Sequence, residues 1–169
     1  MHYWRITKYN PQYRDEKGRY LMNEWTSYSD IGKRFSDKIL TMSTYITVES
    51  SYINVVTSMM NELVLSSFTI VELEKGEYDE KAYESNDVYK TLYDKLKEGK
   101  KIFIDEIGMV LRLILRETIW GKLVNNNAFV HFGYDYYMYV GAQTEIAKTK
   151  AVAQQYGLFV ENEKSPYLL

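Results

Sequence analysis

A chain of 169 residues with a formal net charge of −2 suits one domain and argues against a dedicated binder of nucleic-acid backbone. It has no cysteine, which excludes disulfides, thiolate catalysis and thiolate metal sites, and only two histidines, which excludes a multi-histidine metal centre. Its 17 tyrosines are an excess of a residue that buries a large ring, keeps a polar tip and is favoured at interfaces.

Tyr3 to Tyr9 alternates in polarity and is rich in aromatic and β-branched residues, which predicts a strand. Pro11 and Gly18 bracket a polar turn region. Ser29 or Asp30 is suited to cap a short helical turn running into Ile31-Gly32-Lys33-Arg34-Phe35. Apolar residues at Met42, Ile46, Ile53, Val56, Met60 and Leu63 recur at helical spacing and predict a long helix over 41–63, with Glu49 on the same stripe. Leu65 to Leu73 reads as a second strand, and the charged stretch 75–87 as a loop. Val88 to Glu98 reads as an amphipathic helix closed by Gly99. Phe103 to Val124 is apolar almost all round and reads as one buried helix. Phe129 to Val140 reads as a single strand, Ala142 to Tyr156 as a helix ended by Gly157, and Leu158 to Glu161 as a last strand.

This order predicts one α+β domain over residues 1–169. Without the helices at about 86–125 it reads βαββαβ, a ferredoxin-like sheet with a two-helix insertion between the second and third strands. Arg112, Arg116 and Glu117 interrupt the most apolar run, so no membrane span is expected. Met1-His2-Tyr3-Trp4-Arg5 lacks the apolar core of a signal peptide, and a cytoplasmic protein is expected.

Three groups of residues are candidates for a site. In the strand at 129–140, alternation places His131, Asp135, Tyr137 and Tyr139 on one face. His131 and Asp135 would then lie roughly 13 Å apart, too far for a direct dyad but able to line one pocket. In the long helix, Arg112, Arg116 and Trp120 share a stripe beside Glu117. Such charges either clamp an anion or form a structural ion-pair network, with Glu49 as the candidate partner. Near the N-terminus, Trp25 and Tyr28 are candidate interface anchors. No phosphate loop, dinucleotide fingerprint, zinc-protease motif or nucleophile elbow occurs, so neither a cofactor nor a metal is expected.

Gly133-Tyr134-Asp135-Tyr136-Tyr137-Met138-Tyr139 resembles the base-stacking strand of the RNA-recognition motif in its glycine and three aromatics. Phe132 replaces that family's basic residue, and Asp135 replaces a small one and would repel phosphate. Over most of the chain, Tyr3-Trp4-Arg5-Ile6-Thr7-Lys8-Tyr9-Asn10-Pro11, Glu24-Trp25-Thr26-Ser27, Ser29-Asp30-Ile31-Gly32 and the segment 131–139 look like a group of uncharacterised small cytoplasmic proteins of Firmicute bacteria. That resemblance implies a bacterial, cytoplasmic origin and carries over no catalytic residue.

The leading expectation is a non-enzymatic protein that binds another protein through an aromatic-rich surface, such as a toxin-neutralising or defence-related partner. The alternative is a small-molecule enzyme or sensor with His131 as acid/base, Asp135 or Glu117 as a carboxylate partner, and Arg112 or Arg116 as an anion clamp. Third comes binding of single-stranded nucleic acid.

Overall fold

The computed structural model describes residues 1–168 and has the α+β class that the sequence implies. The strands are β1 (His2–Thr7), β2 (Arg34–Phe35), β3 (Lys38–Ile39), β4 (Ser67–Lys75), β5 (Lys101–Phe103), β6 (Ile119–Asn125), β7 (Ala128–Phe132), β8 (Met138–Ala142) and β9 (Phe159–Glu161). The helices are α1 (Met42–Glu62), α2 (Asp87–Lys95), α3 (Ile104–Leu115) and α4 (Ala147–Gln155). Seven strands make one antiparallel sheet in the order β5-β4-β6-β7-β8-β1-β9, while β2 and β3 form a separate small hairpin.

That order differs from the expected ferredoxin-like sheet in two places. The stretch 103–124 is not one helix: α3 stops at Leu115, and β6 runs through the middle of the sheet. A strand buried on both faces has a continuous apolar sequence, and periodicity alone does not distinguish it from a buried helix. The presumed insertion therefore supplies two strands, β5 and β6, on either side of β4. The stretch 129–140 is a hairpin, with β7 and β8 joined by a turn in which the Gly133 amide donates to the Tyr137 carbonyl at 2.8 Å. The chain also stays in the sheet through Ala142, so α4 starts later than expected.

Cross-strand register explains the core. Trp4, Val140, Val130, Leu123 and Ile70 are successive partners across five strands, and all are buried. The helical layer covers this face: α1 packs on α3 and α4 and contributes Tyr45, Tyr52, Val56 and Met59. Thr41 caps α1, its side chain accepting from the Thr44 amide at 3.1 Å.

The opposite face carries the row Arg5, Tyr139 and His131. The C-terminal segment 162–168 lies across it. Ser165 Oγ is 2.9 Å from His131 Nδ1, and the Tyr167 ring meets Tyr139 and Trp120 edge-on at 6.0 and 6.1 Å. On the same face Phe129 sits opposite Gly141 and stacks on His131 at 4.3 Å. A Cβ on Gly141 would fall within the Phe129 ring. Gly141→Ala is therefore expected to lose about 1–3 kcal/mol of stability by displacing that ring. Chemical denaturation measures the loss, and an unchanged midpoint would show that Phe129 moves freely.

Candidate functional site

The Glu49 carboxylate is fully buried in α1 and accepts both prongs of the Arg116 guanidinium, each at 2.7 Å. Arg116 also donates to the Ala82 carbonyl and lies over the Tyr28 and Tyr83 rings at 5.5 and 5.3 Å. Burial by itself would lower the Arg116 pKa, but the paired Glu49 carboxylate outweighs it and holds the pKa above its ordinary value. Arg112 lies farther out, with Nε 3.4 Å from Glu49 and Nη1 donating to the Tyr89 hydroxyl at 2.5 Å. Arg116 is thus committed to a structural carboxylate, whereas Arg112 bonds Tyr89 and leaves its buried Nε, near Glu49, without a hydrogen bond.

A chain of phenols extends the network. Tyr45 reaches Glu49 at 3.2 Å and Tyr136 at 2.5 Å, and the Tyr136 hydroxyl donates to the Leu115 carbonyl at 2.7 Å. Tyr52 donates to the Tyr136 carbonyl at 2.7 Å. Trp25, only 8% exposed, packs edge-on against Tyr136 with ring centroids 5.0 Å apart. Lys8 holds its ammonium 4.1 Å above both the Tyr9 and the Trp25 rings, and burial lowers its pKa to about 8. Much of the tyrosine excess therefore pins the long N-terminal segment to the body.

The expected site residues fall into separate regions. His131 and Tyr139 are buried beneath the C-terminal segment. Asp135 lies in the β7–β8 turn, so the straight-strand geometry that placed it in line with His131 does not hold. Tyr137 is half-buried, stacks on Tyr9 and accepts from Arg14 at 2.8 Å. Arg112 and Arg116 lie in the helical layer with Glu49, and Tyr28 packs edge-on to Tyr45 at 5.0 Å. Trp25 and Tyr139 are thus core residues and not surface anchors.

Two of them line cavities: Trp25 borders one beside β2 and β3, and Glu117 borders a cleft on the sheet. This cleft, of ≈ 240 Å³, lies between the end of β4, the C-terminus of α3, the start of β6 and the β7–β8 turn. Its floor is built from the buried Ile114, Leu115, Ile119 and Phe132. One wall is Trp120 and Tyr134, whose rings lie 16° from parallel with centroids 6.3 Å apart. The Trp120 indole is fixed by donating to the Phe132 carbonyl at 3.0 Å, whereas Tyr134 is 68% exposed. A β-bulge between Val71 and Glu74 turns the end of β4, and Glu98 satisfies the freed amides of Glu72 and Leu73 at 3.0 and 2.8 Å.

Two lining residues hold unfavourable backbone. Glu117 has φ +60° and Tyr136 has φ +64°, the left-handed region that glycine adopts without cost. Glu117 occupies the position after the last turn of α3, where its amide bonds Ile114 and the Thr118 amide bonds Leu113, both at 2.9 Å. Glu117→Gly is expected to raise stability by about 1 kcal/mol, read as a higher urea midpoint. A lower midpoint would mean that the carboxylate itself holds the fold together.

A second cavity of ≈ 250 Å³ opens beside β2 and β3 among Met22, Phe35 and Ile39. Its walls combine a loop and two-residue strands with the buried Trp25 and Leu40, whereas the floor of the first cleft is buried core from α3, β6 and β7, the better platform for recognition. The described residues contain no group of three or more histidine, aspartate or glutamate side chains able to hold a metal. Among the described residues no helix is long and apolar enough to cross a membrane. Comparison of the chain with protein-family models, curated proteins and solved structures returns no match.

The expected helix over 103–124 carries Trp120 and the expected single strand over 129–140 carries Tyr134, an arrangement that hides the cleft. The usable signal was Gly121 within the apolar run, since an isolated glycine suits a central strand closely approached by a neighbour. A Cβ there would come within 3.1 Å of Ile70.

Proposed function

We propose that this is a binding protein whose recognition element is the Trp120–Tyr134 cleft, and that the occupant is a small organic ligand. The observation that carries this reading is an apolar cavity floored by rigid core and walled by a hydrogen-bonded indole and an exposed phenol. Pre-formed apolar clefts bearing a few polar groups are the usual form of small-molecule sites. The proposal keeps a non-enzymatic binding role but takes the small-molecule ligand of the alternative expectation in place of a protein partner. It moves the site away from Trp25, Tyr28, Tyr137 and Tyr139, and it assigns no acid/base role to His131, which lies under the C-terminal segment.

A panel of aromatic fragments, followed by NMR at the Trp120 indole N–H, tests the reading. Fragments that shift this resonance are expected to bind about tenfold more weakly to Tyr134→Ala, which removes one wall without touching the core. Fragments that bind equally well to Tyr134→Ala, or that leave the indole resonance unmoved, would refute it.

A further inference from the structure

The charge of the cleft differs from that of the Glu49–Arg116 network behind it. Two acidic residues, Glu74 and Glu117, line it, and both are exposed. Glu74 has no hydrogen-bond or ion-pair partner among the described residues, and Glu117 accepts only from the Ser27 hydroxyl, at 3.2 Å. Lys75 is the one cationic residue of the lining, and its ammonium is turned away. It donates to the Tyr93 and Leu96 carbonyls at 2.6 and 3.3 Å and sits 4.2 Å above the Tyr93 ring. Arg116, next to Glu117 in sequence, is held by Glu49. The Gly76 amide is likewise taken, by the Thr118 carbonyl at 2.9 Å.

The cleft therefore offers an anion no uncommitted cationic group and only the Tyr134 hydroxyl as an unpaired side-chain donor, whereas it offers a cation two acidic residues and two aromatic faces. Indole and phenol faces carry negative quadrupolar charge and attract ammonium and guanidinium groups. We propose that the cleft selects an organic cation, an alkyl- or arylammonium or a guanidinium. Its apolar body lies against Trp120 and Tyr134, and its charge lies beside Glu74 and Glu117. This assignment rests on the reading of the cleft as a binding site. Anionic ligands such as nucleotides and sugar phosphates are disfavoured on the same grounds.

Titration with benzylammonium and with benzyl alcohol, similar in shape and different in charge, separates the two ideas when read at the Trp120 indole N–H. Benzylammonium is expected to bind about tenfold more tightly than the alcohol. The Glu74→Gln/Glu117→Gln protein, which keeps the shape of both side chains, is expected to bring the two affinities within about twofold. Equal affinities in the unsubstituted protein would overturn the cation assignment and leave the cleft as a binding site. If neither compound moves the indole resonance, both proposals fall.

Discussion

Replacing Glu49 by alanine is expected to cost about 3–5 kcal/mol of stability in urea denaturation. The side chain is fully buried, receives two 2.7 Å bonds from Arg116 and lies 3.4 Å from Arg112. Its removal strands the Arg116 guanidinium, whose side chain is only 10% exposed, in a largely apolar surround. Such a loss is a large share of the roughly 5–15 kcal/mol that stabilises an ordinary domain. The penalty comes from the uncompensated charge and not from the worth of the pair. Glu49→Met with Arg116→Met is therefore expected to recover most of it, because apolar groups of similar volume replace buried ion pairs at little cost. A single-variant loss below about 1 kcal/mol would mean that water reaches Arg116, and the network would not be the anchor between α1 and the end of α3 described above.

The second large effect is a fall in stability with acid that passes through His131. Burial first, and then the nearby Lys122 charge, lower its pKa from 6.5 to about 4, with Glu72 pulling slightly the other way. The unfolded chain takes up this proton near pH 6.5 and the folded chain only near pH 4. Stability from this group is thus whole above pH 6.5 and is lost as the pH falls towards 4. At about 1.4 kcal/mol per unit the loss reaches roughly 3 kcal/mol. His131→Gln is expected to flatten that part of the profile when urea midpoints are compared at neutral and mildly acid pH. Identical slopes in both proteins would assign the acid sensitivity to other groups. The C-terminal segment shares the effect, because Ser165 contacts His131 directly and covers it.

Elements defined by local chemistry were legible in the sequence. The helix over 41–63 and the Gly157 stop of α4 depend on residues only a few positions apart. The pairing of Glu49 with the α3 arginines followed from the cost of burying a charge alone. Features set by long-range pairing were not legible. Ile119 to Asn125 is a strand because it lies between β4 and β7, a placement that its apolar composition does not encode. The turn at 133–137 lacks a strong hairpin signature, since Tyr136 and not glycine holds its positive φ. The cleft inherits both difficulties, because Trp120 comes from the misread strand and Tyr134 from the misread turn. The aromatic surplus misled for a related reason: a tyrosine that joins a loop to a core has the same sequence appearance as one that meets a partner.

A crystal structure of the protein soaked with benzylammonium would show whether the cleft between α3 and the β7–β8 turn is the binding site. The expected result is one molecule with its ring against Trp120 and Tyr134 and its nitrogen within about 3 Å of the Glu74 or Glu117 carboxylate. A molecule seated instead beside Ile39 in the second cavity, with the cleft empty, would contradict the claim.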